Sequence, residues 1–164
     1  MSSELRVDKI IPTAGVPTGG AGGVIQVVGT MNTTQVSTTT TALGSPTDSG
    51  MSVVITPKFA TSKILIMINA SMRGDGGSAY VNAMIKRNGT LIDYSPCVDD
   101  GMLEYAINHT AGNSSWNFFD SPNSTSALTY GFYFGRYGGS GTAYFNNNGS
   151  HYSCSTMTAM ELSA

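Results

Sequence analysis

Five consecutive apolar residues, Ile64 to Ile68, sit between Lys63 and Asn69 in the stretch "ITPKFATSKILIMINASM". In a strand, Ile64, Ile66 and Ile68 point to one side, and Leu65 and Met67 to the other. A surface strand of a sandwich alternates apolar with polar because one of its faces is wet. Both faces of this one ask for cover. The same holds at 127 to 137, where Leu128, Tyr130, Phe132 and Phe134 alternate with Gly131, Tyr133 and Tyr137. One face of each strand packs inside a sandwich whose sheets lie about 10 Å apart. The other is covered by the chain's own loops or by another copy. Composition favours the copy, because charged residues make up 11% of the chain, against about 25% in ordinary soluble domains. Leu65, Met67 and Tyr133 are accordingly the expected oligomer contacts.

No window of eleven or more residues repeats apolar positions at three and four, so no helix is expected. Strand signals are dense instead. They cover 24 to 29, 33 to 41, 51 to 56, 63 to 72, 79 to 86, 90 to 94, 104 to 110, 115 to 119, 127 to 137, 141 to 147 and 154 to 162. Short β-branched and aromatic runs at such spacing predict an all-β sandwich or barrel. "KRNGTL", with Asn88-Gly89 between Ile85 and Leu91, is the strongest hairpin signal. "GGSG" at 138 to 141 and "NNNGS" at 146 to 150 mark further turns. In the last strand Glu161 alternates with Met160 and Leu162, which suits one buried face.

Residues 1 to 23 read as a unit apart from the sandwich at 24 to 164. "PTAGVPTGGAGG" is linker-like, and before it Leu5, Val7, Ile10 and Ile11 form an apolar cluster without a domain of its own. This is the pattern of an arm that docks on a partner. The opening "MSSELRVDKIIPT" lacks the basic start and apolar core of a secretory signal. No apolar stretch approaches the roughly 20 residues that span a bilayer, so membrane insertion is not expected. A net charge of -2 provides no field for phosphates, so nucleic acid is not an expected partner either.

A catalytic centre needs a nucleophile, a base and a group that orients the base. His109 and His151 stand in polar, Asn-rich surroundings that suit solvated imidazoles. Cys154 lies three residues from His151, a spacing that puts them on opposite faces of a strand. Cys97 and Cys154 read as reduced, partly buried thiols, although one bridge between them is open. Asp99, Asp100 and Glu104, with Asp93 upstream, are a weak Ca²⁺ candidate without the spacing of a dedicated loop. Tyr94, Trp116, Tyr137 and Tyr152 are the aromatics a carbohydrate could stack on, although aromatics in a sandwich are more often core. The "RGD" at Arg73 to Asp75, followed by Gly76 and Gly77, reads as an exposed loop. No cofactor and no enzymatic activity are expected.

Four motifs in order, "ITPKFATSKILIMINA", "FFDSPNSTSALTYGFYF", "GTAYFNNNG" and "STMTAMEL", resemble a domain of fibre and virion proteins of tailed bacteriophages, especially marine ones. The resemblance covers about residues 33 to 164. "ELRVDKIIPT" is similar to the leader by which such proteins attach to a virion. What the resemblance implies is a jelly-roll-like antiparallel β-sandwich, trimeric and non-catalytic, in a virion. It implies a tail fibre, tip or spike subunit joined to another virion protein through residues 1 to 23, with a host receptor or glycan as a further partner. Two alternatives stand beside it: a capsid-decorating virion protein of the same fold, and, from a different class, a lectin-like carbohydrate-binding module.

Overall fold

The computed structural model describes residues 23–42, 45–76, 80–92, 103–105, 111–137, 140–148 and 151–163. Every regular element among them is a strand. The first five are β1 (Val24–Asn32), β2 (Val36–Thr38), β3 (Thr47–Ile55), β4 (Lys63–Asp75) and β5 (Val81–Arg87). Then come β6 (Thr90–Leu91), β7 (Leu103–Tyr105), β8 (Ala111–Asp120) and β9 (Leu128–Arg136). The chain closes with β10 (Thr142–Phe145), β11 (Asn147–Asn148), β12 (His151–Tyr152) and β13 (Ser155–Leu162).

Three pairs of these strands are collinear. β1 and β2 follow one another along β13 and β10, β10 and β13 follow one another along β4, and β6 and β7 both lie along β5. Eight composite strands result. In chain order, the first pairs with the eighth, the second with the seventh, the third with the sixth and the fourth with the fifth. All pairings within the two sheets are antiparallel, and they describe one long hairpin rolled over itself. That is the jelly roll. The first sheet holds β1/β2, β10/β13, β4 and β8; the second holds β3, β9, β5 and β6/β7.

The core lies between the sheets. Ile64, Ile66, Ile68, Ala70 and Met72 face inward from β4, against Tyr130, Phe132 and Phe134 of β9. Phe132 and Phe134 both pack on Phe145 of β10, with ring centroids 5.6 and 5.9 Å apart. Each such side chain contributes roughly 1.5–3 kcal/mol on burial.

Several boundaries differ from the sequence reading. β3 begins at Thr47 rather than Met51, because Gly50 (φ 73) carries a bulge between Asp48 and Met51. The stretch 33 to 41 keeps only β2. Asn32 Oδ1 accepts the Thr34 amide at 2.8 Å, and the Thr40 hydroxyl bonds those of Thr38 and Thr47, so the chain turns on either side of β2 rather than pairing throughout. The predicted strand 141 to 147 breaks at Asn146, which adopts φ 54. The turn at Asn88-Gly89 has positive φ at both residues (50 and 81), as a tight hairpin of the primed type requires.

The terminal strand is corrected in its facing. Ser155, Met157, Ala159 and Glu161 are the buried side, while Met160 and Leu162 point outward and are half-buried. The RGD tripeptide is not a loop either: it ends β4, where Arg73 pairs with Asp75 at 3.2 Å and lies over the Tyr144 ring.

Candidate functional site

The residues behind the family resemblance are joined in space. Glu161, fully buried, accepts four hydrogen bonds. They come from the Lys58 amide (2.7 Å), the Phe59 amide (3.3 Å), the Ser62 hydroxyl (2.7 Å) and the Gln26 side chain (2.6 Å). The end of "STMTAMEL" therefore holds the turn that follows "ITP". Asp120 of "FFDSP" takes Arg87 of β5 on both oxygens (2.7 and 2.6 Å) and the Tyr130 hydroxyl at 2.6 Å. That cluster ties β8 of one sheet to β5 and β9 of the other. Burial, with the Asp120 charge and hydrogen bond, pushes the Tyr130 phenol far above the usual tyrosine range. Burial works against the Arg87 charge, but Asp120 outweighs it and the guanidinium is held more firmly protonated. A third cluster seats the departure of the β11–β12 hairpin. Buried Asn146 donates to the Asn32 carbonyl at 2.8 Å and accepts from Ser155 at 2.6 Å. All three clusters spend their polar groups on architecture.

The outward face of the first sheet differs. Register aligns Val27 with Met160, Met160 with Leu65, and Leu65 with Phe119. These four residues form an apolar row across all four composite strands. Val27 is 53% exposed and Phe119 62%, while Leu65, Met67 and Met160 are half-buried by one another. Neighbouring rows carry Gly29, Thr158, Met67 and Asn117, then Met31, Thr156, Asn69 and Ser115. Lys63 is the only charge on this part of the face among the described residues. At the other end, β11 lies against β4 and β8, and Ser71 is buried where it bonds Ser153. The described residues thus cover one end of the face, and none of them covers its apolar end.

The predicted sites map onto this frame unevenly. Leu65 and Met67 lie on the open face. Tyr133 does not join them: it is on the outward side of the other sheet, against Ala42 and Met84, with the Lys86 ammonium 4.4 Å from its ring centre. Burial and the nearby Asp48 carboxylate raise its phenol pKa. The second face of β9 is covered from within at Gly135, where the Ala42 amide donates to the Arg136 carbonyl at 2.8 Å and the Arg136 amide donates to the Thr40 carbonyl at 2.9 Å. One contact cannot use all three residues. Trp116 points into the core, 5.9 Å from Phe132 between ring centroids, and is not a free stacking platform. Tyr137 is half exposed beyond β9. Cys154 is a free and exposed thiol, not a partly buried one.

Leu5, Val7, Ile10, Ile11, Tyr94, Asp99, Asp100, Cys97 and His109 lie outside the described residues, as do the side chains of Glu104 and Tyr152. Among the described residues no group of three His, Cys, Asp or Glu side chains could hold a metal ion. Sequence reasoning missed Val27, Met160 and Phe119. The signal for Phe119 was the doublet Phe118-Phe119, one of which must point away from the core.

No family model matches the chain, and no curated protein matches it by sequence. Among solved structures it is similar to the VP2 protein of infectious bursal disease virus in T=1 particles: TM-score 0.44, 13% identity, over 98% of this chain and 41% of that one. VP2 in the viral particle of the same virus has TM-score 0.45 and 12% identity, over 98% and 40%. A subunit of Bacillus endospore appendages, a family of disulfide-linked pili, has TM-score 0.30 and 12% identity, over 88% and 96%. The chain thus spans less than half of the VP2 chains it resembles. The neighbours are viral shell proteins and a pilus subunit, at TM-scores too low to carry an argument about role.

Proposed function

We propose that this chain is a non-enzymatic structural protein of a phage virion. It is a tail fibre, tip or spike subunit that assembles as a homotrimer. Residues 1–23 hold it to another virion protein through Leu5, Val7, Ile10 and Ile11, and the assembled tip touches a host receptor or glycan. The observation that carries this reading is the almost uncharged apolar end of the first sheet's outward face, which no described residue covers and which is suited to packing against protein. Exposed apolar patches of this kind mark interaction sites. Two further facts support it. The residues that carry the resemblance to fibre and virion domains serve to hold the jelly roll, as suits a structural protein. The lectin alternative has lost Trp116 to the core.

Imaging virions by cryo-electron microscopy tests it. A jelly roll at the tail or its fibres is the expected result; one seated on the capsid lattice makes the chain a decorating protein. Chains lacking residues 1–22 should fold but be missing from particles. Their incorporation at the normal level would remove the anchor role from the arm.

A further inference from the structure

The two ends of the sandwich differ in what they expose. Gly23 exchanges hydrogen bonds with Ser163 where Val24 pairs with Leu162, so residues 1–22 join the end that also holds Lys63, Asp120 and Tyr130. β9 runs from that end to the opposite one, where two tyrosines stand side by side. Val81 pairs with Arg136, and the Tyr137 amide donates to the Tyr80 carbonyl at 2.9 Å, so Tyr80 and Tyr137 continue the ladder as cross-strand neighbours. Directly opposite residues hold their Cβ atoms about 5 Å apart. Tyr80 is 42% exposed and Tyr137 52%. Tyr137 is seven residues beyond Tyr130, about 23 Å along the strand. Among the described residues, no other large apolar side chain is exposed at that end.

The segment that crosses β9 supplies the surroundings of the pair. Thr41 forms a parallel bridge with Arg136, and Arg136 Nε donates to the Thr39 carbonyl at 2.8 Å, so the exposed Thr39, Thr40 and Thr41 run beside Tyr137. We propose that Tyr80 and Tyr137 form a saccharide-binding platform, the surface by which the tip touches a host glycan. This rests on the virion reading above and gives its receptor contact a place and a ligand class. Three considerations select a sugar. First, chemistry: a pyranose offers a face of C–H groups, which settle on the electron-rich face of an aromatic ring, and an edge of hydroxyls. The two rings meet the first, and the phenol and threonine hydroxyls beside them meet the second. Second, size: two half-exposed tyrosines present far less than the roughly 800 Å² per partner of a specific protein interface, but enough to seat a sugar ring. Third, charge: Arg136 is a single cation beside the rings, whereas a membrane surface or nucleic acid calls for several basic residues. The position agrees, because an arm that anchors one end of the sandwich turns the other end outward.

An array of bacterial O-antigen and capsular polysaccharides, probed with the labelled full chain, tests the platform. The unaltered protein should bind a subset of them. Tyr80→Ala and Tyr137→Ala should each weaken that binding about 10-fold, and the double variant should lose it. Tyr137→Phe keeps the ring and should retain binding. Phe59→Ala removes an exposed ring near the arm and should leave binding unchanged. Both tyrosines are exposed, so the variants should give the parent circular dichroism spectrum. No bound polysaccharide, or equal binding by the double alanine variant, would overturn the platform. Particle composition separates the two levels of the claim. An unaltered chain that enters virions but binds no polysaccharide removes the platform and leaves the structural role standing, whereas its absence from virions removes the virion reading itself.

Discussion

At the scale of the residue, the polar groups that matter are few and buried. Asp120 neutralises Arg87 and receives the Tyr130 hydroxyl at the junction of the sheets. Breaking a buried pair costs more than the pair is worth, because the abandoned partner stays desolvated. Arg87 is a third exposed, which softens the loss, so Asp120→Ala should cost about 3 kcal/mol in denaturant unfolding. The raised pKa of Tyr130 has a definite sign. The fold favours the neutral phenol, so its contribution is intact below the unfolded value of about 10 and declines as pH rises above that. A spectrophotometric titration at alkaline pH should show one tyrosine ionising only as the domain opens. Tyr130→Phe should remove that component. Glu161 is the second test. Glu161→Ala leaves the Lys58 and Phe59 amides, the Ser62 hydroxyl and the Gln26 amide without their acceptor, at a cost of about 3 kcal/mol. Hydrogen exchange should find the Lys58 and Phe59 amides deprotected ahead of the rest.

At the scale of the element, most strands were legible because burial writes itself as alternation. The inward residues of β4 and β9 read directly from the sequence, as did the Asn88-Gly89 turn. What could not be read was which neighbour covers a second apolar face, because that depends on register between strands far apart in the chain. The two doubly apolar strands look alike in sequence and are resolved differently. On β9 the segment ending at Ala42 crosses the sheet and covers it. On β4 nothing within the described residues covers Leu65. The crossing leaves a mark at Gly135, where an added Cβ would lie 2.6 Å from the Ala42 nitrogen. Backbone cannot yield as a flexible side chain does, so Gly135→Ala should destabilise by about 2 kcal/mol, read as a lowered melting temperature. Glu161 misled for a related reason. A carboxylate in an alternating strand reads as the wet side, and only the turn that follows Pro57 turns it into a buried acceptor.

At the scale of the whole molecule, two adjacent residues on one strand separate folding from assembly. Ile66 is fully buried between the sheets, and a carboxylate there has no partner. Isolated charges are costly to bury, so Ile66→Asp should prevent folding and leave no β-sheet signal in circular dichroism. Leu65, one position on, faces outward in the apolar row beside Met160 and Phe119. In an isolated chain, Asp at that position reaches water at little cost. In a closed trimer, three carboxylates replace three leucines near the axis. Leu65 is already half-buried in the isolated chain, so assembly adds only part of the roughly 1.5–3 kcal/mol of a full side chain. About 1 kcal/mol per copy weakens association by roughly 10²-fold, at about 1.4 kcal/mol per factor of ten. Mutual repulsion adds to this. Leu65→Asp should therefore sediment as a folded monomer under conditions in which the parent protein is a trimer. Retention of the parent trimer mass would mean that this face is not the contact, and the assembly would have to use another surface.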